Sequence, residues 1–411
     1  MYRRPISQAM TPRPLGLICV AVLLSVLLAA LGLGDYMFTD YDTEARPAFT
    51  ALVSGDLRGF FDALPPYAGA MFLRAPFALG ADALGGGELA VYRAVAVPGI
   101  AALATLAVVL AQRVPGRGAW VVLVLATANP LALEALEYGH AEELLVGTMC
   151  VGAILLALAD RPLLAGAVVG LAVVGKPWAV LAVAPVVLAL PRGGAVRALA
   201  AAGAVAVTVA LPVLLFGGTG SRVGAETGHV FHPWQLWWFL GSGDDPSNGV
   251  PGYRDAPSWL SPLTHPLIVV VGAGMAAAWA RRGRDRRDAL ALLALILLMR
   301  CILDPWNNPY YELPVVLALL SWEAVRGSTV PAFAAAVTAC AWLTLVIAPA
   351  HVPPDVYSIL FLSWALPCAI LLGLRVYAPP RAHAVANLVR RHLPSGDVNV
   401  SVRPSAPSAG R

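Results

Sequence analysis

The residues best suited to acid–base chemistry follow the first apolar segment of the chain, residues 14–33. Asp40, Asp42, Glu44 and Arg46 crowd into seven consecutive positions there. A carboxylate placed beside a hydroxyl group can accept its proton and so activate the oxygen as a nucleophile. Any one of these acids could equally belong to a solvated loop. As a group at the end of an apolar segment, they predict a catalytic site with Asp40, Asp42 and Glu44 as the candidates.

A second polar cluster, Glu-Tyr-Gly-His-Ala-Glu-Glu, leads into the apolar segment 143–159. If a helix begins near Gly139, Glu143 follows His140 by three residues and shares its face, whereas Glu142 is rotated away. A carboxylate beside an imidazole raises the pKa of the histidine and orients its ring. The alternative is that these acids only complement the dipole of a helix N-terminus.

Three basic residues at the ends of apolar segments are suited to binding an anion. Lys176, in Gly-Lys-Pro-Trp, is the only lysine among the 28 basic residues, and Arg93 and Arg300 lie beside two other apolar segments. Ammonium and guanidinium groups form strong charge-assisted hydrogen bonds with phosphate oxygens. We expect these three cations, together with His140, to bind a phosphate. The alternative for Lys176 is a long side chain that extends to the membrane interface.

A third cluster, Arg-Cys-Ile-Leu-Asp-Pro-Trp-Asn-Asn-Pro-Tyr-Tyr-Glu, ends the apolar segment 289–303. Arg300 and Asp304 would be costly at membrane depth unless they pair or face a wet cavity. Simple pairing, with the aromatic residues forming an interfacial belt, is the alternative, but it leaves the two asparagines unexplained. The residues predicted to contact substrate in this stretch are Asp304, Asn307, Tyr310 and Tyr311.

The long segment 217–261 adds aromatic and amide side chains. Trp234 and Gln235 could line a sugar site, because aromatic faces and amides suit the faces and hydroxyls of sugars, or they could belong to an interfacial helix. Asp244 and Asp245 could hold a cation, but a turn explains the Gly, Asp, Asn and Pro residues there more simply. The sequence indicates no cofactor, and a divalent metal stays an open alternative. The predicted substrate contacts before residue 300 are Glu143, Trp178, Trp234 and Gln235.

The composition shows what kind of fold must position these residues. The chain has 411 residues, of which 59% are hydrophobic and 13% charged. Soluble proteins carry about 25% charged residues, so the composition excludes a soluble enzyme, a disordered chain and a coiled coil. Apolar segments long enough to match the hydrocarbon core recur along most of the chain. The sequence therefore predicts an all-α polytopic membrane protein.

Twelve apolar segments are candidate membrane spans. The segments 162–175 and 178–191 are each short for a full crossing, so they could instead form one re-entrant element with Gly-Lys-Pro-Trp at its tip. The twelve segments are residues 14–33, 89–112, 118–133, 143–159, 162–175, 178–191, 195–216, 263–280, 289–303, 311–325, 329–349 and 356–374.

The distribution of charge between the connecting segments predicts the orientation. With the N-terminus in the cytoplasm, most arginines fall on the cytoplasmic side and most acids on the outer side, as the positive-inside rule requires. The C-terminus is then cytoplasmic too. We expect a membrane domain over residues 1–375, with outer loops at 34–87 and 217–261. Residues 376–411 are predicted to be a basic, disordered cytoplasmic tail. Amphipathic stretches within 34–87 are predicted to lie along the membrane interface.

Four stretches resemble the GT-C superfamily of integral-membrane glycosyltransferases, and most closely actinobacterial relatives of glycosyltransferase family 87. They are TDYDTEARPAFTALVSGD, EYGHAEELL, GKPWA and RCILDPWNNPYYELP, and the resemblance runs over roughly the first 350 residues. It implies a bundle of about 11–13 transmembrane helices and a polyprenyl-phosphate sugar as donor. It also implies that a carboxylate of the first outer loop is the general base. By position that role falls to Asp40 or Asp42.

The sequence therefore predicts an enzyme of the cell membrane. It would move a sugar, such as mannose, from polyprenyl phosphate to an envelope glycolipid or glycan on the extracytoplasmic face. A transporter or flippase of a lipid-linked sugar is the alternative, and a membrane scaffold that has lost activity is a third. A transporter would carry charges along the middle of several spans, whereas the polar residues here gather near the ends of the apolar segments.

Overall fold

The fold is almost entirely helical. A computed structural model describes residues 14–34, 39–217, 229–243, 252–282 and 285–378. The strands of this part form one antiparallel pair, β1 (Val230–Phe231) and β2 (Arg254–Asp255). The α-helices are α1 (Pro14–Gly32), α2 (Arg46–Val53), α3 (Leu57–Asp62), α4 (Ala68–Ala83), α5 (Glu88–Ala111), α6 (Arg117–Thr127), α7 (Pro130–Glu137), α8 (Ala141–Leu158), α9 (Pro162–Gly175), α10 (Val183–Ala189), α11 (Gly194–Phe216), α12 (Ser261–Ala280), α13 (Ala289–Leu303), α14 (Leu313–Val325), α15 (Ala332–Trp342) and α16 (Pro354–Tyr377).

The protein is a multi-pass membrane protein, as its composition predicts. Within the described residues, eight helical stretches are long and apolar enough to cross a membrane. Each of the twelve predicted apolar segments coincides with helical structure. The short pair consists of α9 and a 3₁₀-helix, Pro177–Ala182, that leads into α10. At 1.5 Å per residue, α9 spans about 21 Å, less than the hydrocarbon core of about 30 Å.

Two helices lie at the centre of the bundle. Nearly every residue of α13 and of α14 is buried, which is the pattern of a helix that is apolar all round and surrounded by other helices. The neighbours of α13 include α12, α14 and α16. Arg300 lies in the last turn of α13, and Asp304 follows directly after the helix ends at Leu303.

The predicted outer loop 34–87 contains more structure than the sequence indicated. Its amphipathic stretches form α2 and α3, but residues 68–83 form a further helix, α4, which packs against α5 and α9. Gly69 of α4 lies so close to α9 that an added Cβ would come within 2.7 Å of the Val174 carbonyl carbon. This close approach brings the start of α4 beside Lys176.

Two sequence predictions fall outside the described residues. The predicted cytoplasmic tail lies outside them from residue 379 onward. Asp244 and Asp245, considered as cation ligands, also lie outside them. Residues 229–243 pack on the end of α13, because His232 N–H donates to the Pro305 carbonyl at 2.8 Å and Leu236 N–H donates to the Ile302 carbonyl at 2.8 Å.

Candidate active site

A cavity of about 570 Å³ collects most of the predicted site residues. It is formed where α8 begins, where α9 and α13 end, and where the chain enters α2, so these ends share one side of the bundle. Its polar and aromatic lining consists of Asp40, Glu44, Tyr67, His140, Glu143, Lys176, Trp178, His265, Arg300, Asp304, Trp306, Asn308, Tyr310 and Tyr311.

A relay of hydrogen bonds runs inward from Asp40. Its Oδ2 lies 3.0 Å from His140 Nε2, and His140 Nδ1 lies 2.8 Å from Glu142 Oε1. The Asp40 side chain is half exposed, while His140 and Glu142 are buried. The arrangement orients the imidazole between two carboxylates and presents the outer one to the cavity.

The predicted partner of His140 was wrong. His140 bonds to Glu142, not to Glu143. The prediction assumed helical geometry at His140, but this residue caps α8 with φ −100° and ψ 52°. Because the helix begins at Ala141, the three-residue spacing that sets a shared helical face does not apply to the capping residue.

A glycine allows the two halves of the relay to meet. Gly139 has φ +86°, and an added Cβ would come within 2.7 Å of the Tyr41 backbone nitrogen. Asp40 and Tyr41 open a short π-helical turn, Tyr41–Ala45, a feature often found at functional sites. A side chain at position 139 would be strained by its backbone conformation and would separate Asp40 from His140.

Glu142 is the centre of the buried charge network. Its carboxylate accepts hydrogen bonds from Arg74 Nη1 at 2.8 Å and lies 3.1 Å from Lys176 Nζ, besides its contact with His140. Arg74 and Glu142 are 2% and 1% exposed. Buried charges are stable only when paired, and this carboxylate has three cationic or imidazole partners.

The sequence did not predict that Arg74 takes part in this charge network. The only signal was an arginine within the apolar stretch Met-Phe-Leu-Arg-Ala-Pro-Phe, and its partner lies 68 positions away in sequence. No local spacing could identify this pair.

Lys176 lines the cavity and lies against acidic and aromatic side chains. Its Nζ is 3.1 Å from Glu142 Oε1, 3.5 Å from Glu143 Oε1 and 4.2 Å from the centre of the Tyr67 ring. The side chain is mostly buried. Gly175 ends α9 and Lys176 is extended, so the side chain leaves the helix axis and turns toward the start of α8. The interface alternative is therefore not supported by its surroundings.

Arg300 forms another wall of the cavity. Its guanidinium carbon lies 4.1 Å from the centre of the Tyr311 ring and 4.9 Å from that of Trp178. Arg300 Nε is 3.6 Å from Asp304 Oδ2, and Asp304 Oδ1 accepts a hydrogen bond from Trp306 N–H at 3.0 Å. The two charges do pair, and both side chains also line the cavity.

Asp40 and Asp42, the two candidates for the general base, lie in different surroundings. Asp42 is buried away from the cavity, where it accepts hydrogen bonds from Thr39 N–H at 2.9 Å and from Arg46 at 3.0 Å. Glu44 lines the cavity and accepts a hydrogen bond from the Tyr67 hydroxyl at 2.6 Å. Asp40 is therefore the aspartate of this loop that faces the cavity.

Besides Asp42, four more predicted site residues lie outside the cavity. Arg93 donates to the Leu33 and Gly34 carbonyls at 3.0 and 2.7 Å and so caps the end of α1. The other three support the packing of residues 229–243, because the N–H groups of their side chains donate hydrogen bonds to backbone carbonyls or to another buried side chain. Trp234 donates to the Thr344 carbonyl, Gln235 to the His232 carbonyl, and Asn307 to the Trp234 carbonyl and to Glu312.

The surroundings of His140 keep it protonated. Burial and the nearby Lys176 ammonium lower its pKa, but hydrogen bonds to Asp40 and Glu142 raise it more, to about 9. At neutral pH the ring is therefore an imidazolium and cannot serve as a base. The groups of the cavity that could take a proton are therefore its carboxylates, among them Asp40 and Glu44.

Asp40, Glu44 and His140 could also be considered as metal ligands. Their ligand atoms lie within 4.8 Å of one another. Both ring nitrogens of His140 already bond to carboxylates, and a metal would have to displace the proton facing Asp40. Because both nitrogens of His140 have these partners, we assign no metal to these residues.

Part of the chain matches a family of known proteins. Residues 77–192 match the family model of the N-terminal domain of alpha-(1->6)-mannopyranosyltransferases. The chain thus resembles membrane glycosyltransferases. The matched region contains His140, Glu142, Glu143 and Lys176, the core of the charge network. It also contains Trp178.

One solved structure is similar over most of its length. ArnT from Cupriavidus metallidurans, in its apo state, shares 18% identity and a TM-score of 0.45, covering 92% of this chain and 81% of that one. No curated protein shows significant sequence similarity to the chain.

Proposed function

We propose that this protein is a polyprenyl-phosphate-sugar-dependent mannosyltransferase of the cell membrane. The observation that carries the proposal is one cavity that Asp40, Lys176 and Arg300 line together. A base and two cations around a space of this size are the groups that an inverting transfer from a phosphate requires. The family match supports mannose as the sugar.

In the proposed reaction, Asp40 removes the proton from an acceptor hydroxyl. The oxygen then attacks the anomeric carbon of the donor from the side opposite the phosphate. The bond between that carbon and the phosphate oxygen breaks, and the polyprenyl phosphate leaves with the bonding electron pair. Arg300 and Lys176 stabilise the negative charge that develops on the phosphate. The proton ends on Asp40, and the sugar is joined to the acceptor with inverted configuration.

His140 and Glu142 act through Asp40 in this scheme. The imidazolium holds the Asp40 carboxylate in place at 3.0 Å, and the buried Glu142 holds the imidazolium. Each is a positioning residue, because neither needs to touch the substrate. Glu44 lies close enough to share the acceptor side of the cavity.

The charged residues at the two ends of the bundle support an orientation for the proposed enzyme. A second cavity, at the end where α5 finishes and α13 begins, is lined by Arg113, Arg286 and Arg287 with Asp285. Basic residues mark the cytoplasmic side, which supports an extracytoplasmic position for the Asp40 cavity and cytoplasmic termini. The acceptor would then be an envelope glycolipid or glycan, handled by one membrane domain over residues 1–375.

A transfer assay tests the proposal. The full chain, purified in detergent, is given labelled polyprenyl-phosphate mannose and an envelope lipid extract. We expect label to appear in a new glycolipid or glycan product, and no transfer from a water-soluble nucleotide sugar. Donor movement across proteoliposomes without any product would contradict the proposal and favour a flippase.

A further inference from the structure

Two side chains that line the cavity keep one polar atom without a hydrogen-bond partner. Among the buried polar atoms of the described residues, Glu143 Oε2 and Arg300 Nη1 are both unpartnered. The residues are 1% and 4% exposed. A buried polar group without a partner costs about 1–3 kcal/mol, more if it is charged, so such atoms point to a missing ligand.

Glu143 offers an acceptor. Its other oxygen, Oε1, receives a hydrogen bond from Trp178 Nε1 at 3.3 Å and lies 3.5 Å from Lys176 Nζ. These two contacts fix the side chain and leave Oε2 for a donor. A carboxylate oxygen accepts hydrogen bonds, so the complementary ligand group is a donor such as a sugar hydroxyl. The terminal torsion of glutamate is soft, so a small rotation turns the oxygen toward a bound ligand.

Arg300 offers the opposite chemistry. Its guanidinium is held against the rings of Tyr311 and Trp178, and Nε faces Asp304 at 3.6 Å. The unpartnered Nη1 is a donor, and a phosphate oxygen is its natural acceptor.

Trp178 joins the two features into one subsite. Its indole nitrogen contacts Glu143, and its ring lies 4.9 Å from the Arg300 guanidinium carbon. A ligand that satisfies both residues therefore presents a hydroxyl and an anionic group on either side of an aromatic wall. A sugar joined to a phosphate has this form, and its ring can stack against the indole.

We propose that Glu143 determines the specificity of the enzyme by accepting a hydrogen bond from one hydroxyl of the transferred sugar while Arg300 binds its phosphate. The inference rests on the proposed function. It assigns Glu143 to the sugar hydroxyl and not to the acceptor or to the proton transfer. A donor that lacks this hydroxyl leaves the buried carboxylate unpaired, and the enzyme rejects it for that reason.

A panel of donors tests the inference. Polyprenyl-phosphate mannose is compared with its 2-deoxy, 3-deoxy, 4-deoxy and 6-deoxy analogues, and kcat/KM is measured for the wild type. We expect one analogue to fall about 10- to 100-fold below the parent donor, and the others to fall much less.

Variants then connect that hydroxyl to Glu143. In Glu143→Ala the selective penalty disappears, because mannose and the critical deoxy donor are used at similar rates. Glu143→Gln keeps an acceptor oxygen and retains part of the penalty. Glu137→Gln, the same change at an exposed position on α7, keeps the wild-type pattern. A purely structural role for Glu143 would lower every donor equally and leave the ratios unchanged.

The outcomes separate this inference from the proposed function. Wild-type transfer of mannose with no selectively penalised analogue overturns the inference and leaves the function intact, as does a penalty that persists in Glu143→Ala. A wild type that transfers from no donor overturns both. Should Glu143→Ala fail to fold, the ratios for Glu143→Gln decide the matter.

Discussion

Glu142 holds together charges that would otherwise be isolated in the interior. We expect Glu142→Gln to lower the free energy of unfolding by about 3–5 kcal/mol, because the buried Arg74 loses its charged partner. The thermal midpoint of the purified protein measures the effect. Glu137→Gln, on an exposed position, should leave the midpoint nearly unchanged, and an equal loss in both variants would contradict the assigned role.

Protonation of His140 predicts the pH dependence of stability. Its pKa is about 9 in the folded protein and about 6.5 when unfolded. Protonated His140 therefore adds to the free energy of unfolding. This contribution is fully present below pH 6.5 and is lost as the pH rises through 9, a change of about 3 kcal/mol. Thermal midpoints between pH 6 and 10 should fall in the wild type and fall less in His140→Gln. A wild-type midpoint that rises between pH 6.5 and 9 would contradict this protonation state.

At the residue scale, the sequence predicted which clusters of residues reach the cavity. It did not predict which side chains within them form hydrogen bonds or ion pairs. The clusters around Asp40, His140 and Arg300 all reach the cavity, because each lies at the end of an apolar segment. The partner of His140 could not be predicted, since it depends on the capping geometry at that residue. The contribution of Arg74 could not be predicted either, because its contact to Glu142 is distant in sequence.

At the scale of elements, the turn before α8 sets the distance between Asp40 and His140. Gly139→Ala should lower the free energy of unfolding by about 1–3 kcal/mol and reduce transfer, because its φ of +86° is strained for alanine and the Cβ meets the Tyr41 nitrogen. Thermal midpoint and transfer rate measure both effects.

The matched control is Gly80→Ala on α4. Position 80 has open space around an added Cβ, so alanine should be neutral or stabilising by up to about 1 kcal/mol. If Gly139→Ala has the same thermal midpoint and transfer rate as Gly80→Ala, the turn does not need a glycine. The contact between Asp40 and His140 would then not depend on Gly139.

The apolar segments were predictable because length and hydropathy define them without reference to neighbours. Helix α4 was not recognised, because it lies within a stretch whose polar residues suggested a loop. Its position depends on the contact of Gly69 with α9, which no local pattern encodes. This helix follows Tyr67 and carries Arg74. Arg74 was therefore not predicted for the same reason that α4 was not, because both depend on contacts distant in sequence.

At the scale of the whole molecule, the placement of polar groups favours the proposed enzyme over the transporter alternative. The cavity residues belong to one end of the bundle, and the basic cavity with Arg286 belongs to the other. In the described part of the chain, the central helices α13 and α14 bury apolar side chains along most of their length. A route across the membrane would need polar groups along the middle of the spans.

The proposed chemistry makes Asp40 the most informative residue. Asp40→Asn removes the base but preserves the size of the side chain, so transfer should fall by about 10²–10⁴-fold. Asp42 supports the loop through Thr39 and Arg46, and Asp42→Asn should affect stability more than the chemical step. Asp82→Asn, on an exposed position of α4, is the matched control.

The role of Asp40 as the base is tested most directly by the single-turnover rate of transfer from labelled polyprenyl-phosphate mannose. The rate is measured for the wild type and for Asp40→Asn, Asp42→Asn and Asp82→Asn. We expect a rate for Asp40→Asn at least 100-fold below that of the wild type and an unchanged rate for Asp82→Asn. An Asp40→Asn rate within a few-fold of the wild type, with label still reaching the acceptor, would contradict the assignment of Asp40 as the base.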